Sequence, residues 1–472
     1  MIKLQSLVIT IMASSTLAIS TVVNANNVKI VPSVSLSQIY TDNLEAFSDA
    51  KAEEEFITEL SPELTIQGVG RRAEVDLNYS LSTYYHAKEE ENNFTEHFLD
   101  ADANFKLVRN FLFLDTKASV SQQVIDPKQS VSRTFNPDDS NRTDETIFTL
   151  APYINYKFSD SVTSQAYFSK SWVEYDSAEV SDKGVEEFSL SFQQKERSSP
   201  INWDINYSDE RHLFDTQEKD ARFKYATISL GYLVRPKLRL LLDGGYENND
   251  YESSADISNE GSFWKMGLNW TPTRRTNVAA KFGELFFGKT YQLAFSHDSK
   301  RNSIDIDYQE SVVTAASARL QGTHQDADVV TATSLSNNDV FINKRLGLFI
   351  SVTHSKNIFS ILAFNERRDF QVLNEREQGY GAGLGWEWRL SRRNVIKLNT
   401  FGDKQKYPGD GDYNTLKAKI SMKTRVGKRL STSFSYDYSK RDSNDSLDSY
   451  TENVVRAKAT WVFGGAPQDR QD

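Results

Sequence analysis

Apolar and polar residues alternate along most of the chain, from Val28 to Phe463. Residues 75–82 show the pattern clearly, with apolar side chains at every second position: Val75, Leu77, Tyr79 and Leu81. Residues 455–463 repeat it near the end of the chain, with Val455, Ala457, Ala459, Trp461 and Phe463. A period of two places alternate side chains on opposite faces of a β-strand. The pattern therefore predicts a large sheet with one apolar face and one polar face.

The alternation predicts about 22 strands (20–22), the sixteenth of them over 345–355. Lipid tolerates no unpaired strand edge, so a sheet whose apolar face meets lipid must close on itself. The predicted fold class is all-β, a transmembrane antiparallel outer-membrane β-barrel. A soluble propeller is the alternative, but propellers repeat every 40–50 residues with blade signatures, and the sequence shows no such repeat.

The connections between the predicted strands are of two kinds. Every second connection is short and basic, as at Val108–Asn110, Val234–Lys237, Pro272–Arg275, Leu390–Arg393 and Val426–Lys428. The others are mostly long and acidic, as at Asp42–Glu54, Asp126–Thr143, Asp176–Glu187, Glu247–Glu260 and Lys440–Ser449. In outer-membrane barrels the short turns face the periplasm and the long loops face the outside. This agreement predicts an outer-membrane location in a Gram-negative cell.

The chain divides into three predicted parts. Residues 1–25 are a predicted signal peptide, with Lys3 before an apolar stretch and a small-residue cleavage site at Val23-Asn24-Ala25. A single membrane anchor is the alternative for this segment. Residues 26–463 are the barrel, and 464–472 are a polar tail. The strands occupy the barrel region fully, so we predict no plug domain.

Composition excludes several functions. The chain has no cysteine, which excludes disulfides and thiolate metal sites. The net charge of −10 and the lack of a basic stripe argue against a nucleic-acid partner. The expected partners are the lipid bilayer, lipopolysaccharide and the barrel-assembly machinery, which reads a terminal strand such as the one ending at Trp461–Phe463. No cofactor is expected.

Charged and amide side chains on the polar phase of the strands are candidates for the lumen wall. A mixed, hydrated wall of this kind suits a channel and does not impose one sign of ion. The candidates are Lys265, Asn269, Asp305, Asp307, Lys397, Asp437, Arg456 and Lys458. The long segment 315–343 is either a constriction that folds into the pore or a mobile extracellular loop.

The sequence offers only weak candidates for catalytic groups. Residues 296–299 (Ser-His-Asp-Ser) and the pair Ser351 and His354 contain hydrolase residue types, but neighbours on one strand need a third group from the fold. Asp305 and Asp307 share one side of a strand, as a glycosidase pair or a cation site would, yet polar lumen residues are expected on every strand. Acidic loops would bind Ca²⁺ weakly or serve solubility alone. We predict neither a metal site nor an enzyme.

One part of the chain resembles a known family. The segments are Gly267–Thr276 (GLNWTPTRRT), Phe286–Tyr291 (FFGKTY) and Tyr308–Ser311 (YQES), with an opening hairpin around Ile57–Arg72. They resemble the outer-membrane proteins associated with PEP-CTERM/exosortase systems, a family linked to exopolysaccharide loci. The resemblance implies a porin-like barrel and carries no catalytic residues. Its motif residues Trp270, Pro272, Arg274, Phe287, Gly288 and Tyr291 have a structural interpretation as interface anchors and turn residues.

The expected function is export or secretion of extracellular polysaccharide through a channel, with exopolysaccharide and its secretion machinery as partners. One alternative is a surface receptor or matrix-attachment scaffold that works through the acidic loops. Another is a general diffusion porin, because the lumen candidates do not distinguish polymers from small solutes.

Overall fold

The computed structural model describes residues 28–88, 90–132, 140–194, 199–215, 220–252, 259–317, 334–335, 338–409 and 411–464. The predicted signal peptide and almost all of the predicted polar tail lie outside these residues. Nearly all of the described chain forms antiparallel β-strands joined by turns and loops. Among the residues that the structure describes, no helix has the length and apolar character needed to cross a membrane.

The first eleven strands are β1 Val28–Thr41, β2 Glu55–Val69, β3 Ala73–His86, β4 Phe94–Val108, β5 Leu112–Val124, β6 Arg142–Lys157, β7 Val162–Tyr175, β8 Lys183–Gln194, β9 Ile201–Phe214, β10 Ala221–Arg235 and β11 Leu238–Asp250. The second eleven are β12 Glu260–Thr273, β13 Thr276–Leu285, β14 Gly288–Asp298, β15 Asn302–Thr314, β16 Val340–His354, β17 Asn357–Phe370, β18 Arg376–Arg389, β19 Asn394–Lys406, β20 Tyr413–Arg425, β21 Leu430–Ser443 and β22 Tyr450–Val462.

Each strand pairs with its neighbours in sequence, and the first strand pairs with the last. In the β1–β22 ladder Leu36 lies opposite Ala459, and the hydroxyls of Ser35 and Thr460 are 3.0 Å apart. This pairing closes a single 22-stranded sheet, so no described edge strand is left unpaired. The prediction of an antiparallel barrel of about 22 strands is confirmed.

The outward face of the barrel is apolar. On β10 the side chains of Ile228, Leu230 and Tyr232 are 54%, 43% and 53% exposed, and Leu240 and Leu242 lie beside them on β11. A soluble monomer rarely exposes an apolar surface of this extent, whereas a transmembrane barrel needs it against lipid. The outward face is therefore the membrane-facing surface of an outer-membrane barrel.

The inward face is polar. Charged side chains on it are widely exposed although they point into the barrel, including Lys117 (70%), Asp102 (54%) and Lys397 (54%). These three charges form ion pairs, Lys117 with Asp102 and Lys397 with Glu387, and their exposed side chains face the interior of the barrel. The inward face therefore presents polar, paired charges to the lumen.

The sixteenth strand begins five residues earlier than the alternation predicts, at Val340 instead of 345. Val340, Phe341 and Ile342 are all buried, since this end of β16 lies inside the mouth under the connecting loops. Consecutive burial removes the period-two signal, which explains why the sequence pattern missed these residues.

No separate domain occurs within the described residues, all of which belong to strands or their connections. Large 22-stranded outer-membrane transporters hold a plug in the lumen. Because part of the chain lies outside the described residues, the absence of a plug stays a prediction from the sequence.

Candidate functional site at the extracellular mouth

All eight candidate wall residues lie on inward-facing strand positions. Lys265 and Asn269 are on β12, Asp305 and Asp307 on β15, Lys397 on β19, Asp437 on β21, and Arg456 and Lys458 on β22. They do not converge on one point, because they are spread over five strands and over most of the barrel height. They form part of a polar wall.

Several of these side chains form ion pairs across neighbouring strands. The Lys397 ammonium lies 3.0 Å from Glu387, and Asp437 lies 3.1 Å from the Lys419 ammonium. Lys458 is 3.8 Å from Glu63 in a pair that crosses the β22–β1–β2 seam. Exposed pairs of this kind contribute little to stability, roughly 0–1 kcal/mol each. Their main effect is to present both signs of charge to the lumen.

The family-motif residues lie on β12–β14 and in the turns between these strands. Trp270 and Tyr291 are 47% and 53% exposed on the outward face. Arg274 lies in the short β12–β13 turn beside a cavity of about 530 Å³. Phe287 and Gly288 form the tight β13–β14 turn, where Gly288 has a φ of +103° that disfavours any residue with a Cβ.

Apolar side chains line the inner surface at the extracellular end. One cluster joins Ile39, Leu44, Ile57, Tyr84 and Val454 on the β22–β1–β2–β3 side of the mouth. Two others lie around the mouth, one on β10, β11 and β16 and one on β15, β16 and β17. Inward apolar residues at this level would face water unless loops folded over them. They provide the surface on which the extracellular connections pack.

The β5–β6 connection folds across the mouth. Its described part, residues 125–132, is here called the first mouth segment. Arg441 on β21 donates hydrogen bonds from Nη1 to the carbonyls of Pro127 (3.1 Å) and Gln129 (3.0 Å), and from Nη2 to that of Lys128. Arg441 is only 7% exposed. Because β21 lies six strand positions from β5 around the barrel, these bonds carry the segment over the lumen.

Further contacts hold the same segment against the end of β22. The Tyr450 hydroxyl donates to the Val131 carbonyl at 3.0 Å, and the Ser132 hydroxyl donates to Glu452 Oε1 at 2.8 Å. The Ser130 amide donates to Asp448 Oδ1 at 3.0 Å. The segment is therefore bound at successive residues and does not project freely into the medium.

The β15–β16 connection crosses the mouth from the other side. Its described residues, 315–317, 334–335 and 338–339, are here called the second mouth segment. The Leu335 amide donates to the Ile125 carbonyl at 2.8 Å, and Lys183 on β8 donates to the Leu335 carbonyl at 2.7 Å. β15 lies ten strand positions from β5 in a barrel of 22, almost opposite it. The segment therefore reaches across the lumen and meets the first mouth segment.

A buried histidine holds the start of the second mouth segment. His212 Nε2 lies 2.6 Å from Glu210 Oε1, and its Nδ1 lies 3.0 Å from the Thr314 hydroxyl, which is 3.4 Å from that of Ser317. The order carboxylate, imidazole, hydroxyl is that of a hydrolase triad. His212 and Thr314 are both fully buried, however, so no substrate can reach the hydroxyl. The group fastens the chain to β9.

The candidate catalytic residues from the sequence are not assembled into a site. Ser296 faces the lumen while His297 faces outward, where its Nδ1 contacts the Thr276 hydroxyl at 2.9 Å. Ser351 and His354 likewise lie on opposite faces of β16. Within the described ranges, no group of three or more histidine, aspartate or glutamate side chains is arranged to hold a metal ion.

The two mouth segments, from nearly opposite strands, meet over the lumen. Ile125 and Leu335, one from each segment, form a small buried cluster with Val180 of the β7–β8 connection. For segment 315–343, the sequence allowed two interpretations, a constriction that folds into the pore or a mobile extracellular loop. The described residues at both ends of this segment fold inward over the lumen, and 340–343 belong to β16. The sequence did not reveal the role of Arg441, because its position in the alternation is like that of any polar residue of the lumen wall.

No family model matches the chain, and no curated protein matches it. Among solved structures, the siderophore receptor PirA from Acinetobacter baumannii is 8% identical with a TM-score of 0.53, covering 92% of this chain and 80% of that one. The ferric-catecholate import receptor Fiu from E. coli K12 is 10% identical with a TM-score of 0.51, covering 92% and 82%. At these identities the likeness concerns the fold. The chain therefore shares the fold of 22-stranded outer-membrane β-barrels.

Proposed function

We propose that this barrel is an outer-membrane conduit for a large hydrophilic solute, gated at its extracellular end by the two mouth segments. The observation that carries the proposal is the combination of a polar lumen with segments bound across its mouth. Entry of solvent into the lumen needs no specific hydrogen bond. The hydrogen bonds made by Arg441 and Lys183 therefore serve to position the mouth segments. Opening then requires displacement of these segments alone.

The proposed cargo is an extracellular polysaccharide, moving outward. The resemblance to barrels linked with exopolysaccharide loci supports this choice. Exposed basic residues in the periplasmic turns support it as well, because they would attract an acidic polymer to the inner opening. They are Arg71, Arg72, Arg109, Lys237, Arg274, Arg275, Lys300, Arg301, Lys356, Arg392, Arg393, Lys428 and Arg429.

Deletion of the gene tests the cargo. The deletion strain is expected to lose most of its surface polysaccharide and to accumulate polymer in the periplasm. Polymer in the cell-surface and periplasmic fractions is quantified by uronic acid and total sugar assays, with the wild-type gene on a plasmid as control. Normal surface polymer in the deletion strain would refute the export proposal.

A surface receptor that admits a ligand from outside is the second candidate. Two observations favour it: the extracellular connections bond to one another, and two solved barrels of similar fold are a siderophore receptor and a ferric-catecholate import receptor. Comparison with solved structures supports this candidate more than export. The two candidates differ in the deletion strain, since a receptor's loss reduces ligand binding to whole cells and leaves surface polymer unchanged.

A further inference from the structure

An apolar patch lies on the otherwise polar inner wall of β16–β19. Strand registers place Phe349 opposite Leu362, Leu362 opposite Gly383, and Gly383 opposite Phe401. Phe364 lies two residues beyond Leu362 on the same face of β17. These four side chains, Phe349, Leu362, Phe364 and Phe401, are here called the apolar platform. They lie on the lumen side of the wall and not on the lipid side; Phe364 is buried at 6% exposed, and the other three are at least partly exposed.

A row of glycines on β18 shapes the platform. Gly379, Gly381, Gly383 and Gly385 occupy consecutive inward positions. A Cβ at Gly381 would lie 2.8 Å from Phe364 Cε1, and one at Gly383 would lie 3.1 Å from Phe401 Cδ2. Because glycine has no side chain, the rings of Phe364 and Phe401 can lie over the backbone of β18 at these positions. The planes of Phe364 and Phe401 are 9° from parallel, with centroids 6.2 Å apart.

The platform remains exposed to the lumen. Phe349 is 44% exposed on the lumen side of the wall, and Leu362 and Phe401 are partly exposed. Water-facing apolar surface is unfavourable by about 25 cal/mol per Å² relative to a covered one. Lipid does not account for it, since lipid contacts the opposite face. Exposed apolar patches with polar surroundings mark interaction sites.

Polar and charged groups border the platform. Lys417 lies opposite Phe401, and Lys419 lies opposite Asn399 and is 48% exposed. On the other side, Asp305 lies opposite Phe349 and Ser360 opposite Gly385. The distance from β16 to β19 is three strand spacings, about 14 Å. The apolar platform therefore lies between two groups that can bind hydroxyls, Asp305 and Ser360, and two cations, Lys417 and Lys419.

We propose that the apolar platform is a binding subsite for sugar rings of an acidic saccharide chain in the lumen. The C–H faces of a pyranose carry slight positive charge and stack on the negative faces of aromatic rings. Lys417 and Lys419, the latter also paired with Asp437 at 3.1 Å, would contact the carboxylates of uronic acids, while Asp305 and Ser360 would bind hydroxyls by hydrogen bonds. The inference rests on the proposed function, in that a saccharide is taken as the cargo.

Titration calorimetry with the refolded, detergent-solubilised protein tests the subsite. The probes are an oligogalacturonate and a neutral malto-oligosaccharide of the same length. Phe349→Ala and Phe401→Ala are expected to raise the Kd for oligogalacturonate at least tenfold, whereas Phe349→Trp keeps it near the wild-type value. The matched control is Phe359→Ala on the lipid face of β17, where the ring is 48% exposed, and it should leave the Kd unchanged.

The outcomes separate the subsite from the cargo. Equal Kd values for the wild type and both alanine variants would overturn the subsite and leave a saccharide cargo standing. No binding of either probe by the wild type would overturn both the subsite and the saccharide cargo. Tighter binding of the neutral probe than of the acidic one would overturn the acidic specificity assigned to Lys417 and Lys419.

Discussion

Replacement of Arg441 by alanine is expected to open the extracellular mouth and to raise single-channel conductance several-fold. The Arg441 guanidinium donates to three successive carbonyls, those of residues 127–129, from a buried position. A hydrogen bond to a charged group contributes about 1.5–3 kcal/mol. Loss of these bonds weakens docking of the first mouth segment by roughly 3 kcal/mol, which shifts the ratio of closed to open states about 100-fold.

Conductance of the refolded protein in a planar bilayer measures this effect. Arg441→Lys keeps the charge but not the planar fork of donors, so an intermediate conductance is expected. Phe359→Ala, on the lipid face of β17, serves as the control and should conduct like the wild type. If Arg441→Ala also conducts like the wild type, the first mouth segment is not the barrier.

A disulfide between positions 125 and 335 is expected to hold the mouth closed until a reductant is added. Ile125 and Leu335 share a buried cluster and are joined by a backbone hydrogen bond of 2.8 Å. Residues paired in this way have Cα atoms roughly 5 Å apart, within the range that a disulfide spans. The natural chain has no cysteine, so Ile125→Cys with Leu335→Cys introduces the only possible pair.

The double variant is best measured in the Arg441→Ala background, where the mouth is otherwise open. Low conductance after mild oxidation and high conductance after dithiothreitol are the expected results, and each single-cysteine variant should ignore both treatments. Failure of the disulfide to form would show that the two segments do not meet as described. Equal conductance of the oxidised and reduced forms would show that their contact does not control the lumen.

The strands could be predicted because each has one face in lipid and one in water. On β12, Trp264, Met266, Leu268 and Trp270 alternate with Lys265, Gly267 and Asn269, and the strand follows from that contrast alone. The signal fails where both faces are covered, as at Val340–Ile342 under the mouth. The strand count therefore came from the sequence, while the mouth end of β16 did not.

The mouth could not be predicted, because its contacts join distant parts of the chain. Arg441 binds carbonyls more than three hundred positions away in sequence, and Leu335 meets Ile125 across the barrel. Carbonyl acceptors carry no residue-type signal, so neither contact has a motif. The polar wall residues were identifiable from alternation, but their distribution into a wall with no single centre depends on strand register.

The apolar platform illustrates a different limit. Leu346-Gly347-Leu348-Phe349-Ile350 is an almost continuous apolar run, so the sequence does not show which face Phe349 occupies. A shift of one residue in register moves every side chain of a strand to the other face. The pairing of Phe349 with Leu362 and of Asp305 with Phe349 assigns it to the lumen.

The conductance of the refolded barrel before and after removal of both mouth connections tests the gated conduit most directly. Residues 126–141 and 315–339 are replaced by short Gly-Ser turns, and correct folding is checked by heat-dependent mobility in gels. A small conductance is expected for the wild type and a large one for the shortened barrel, which acidic polysaccharide on the periplasmic side then blocks. A folded, shortened barrel that conducts no better than the wild type would contradict it.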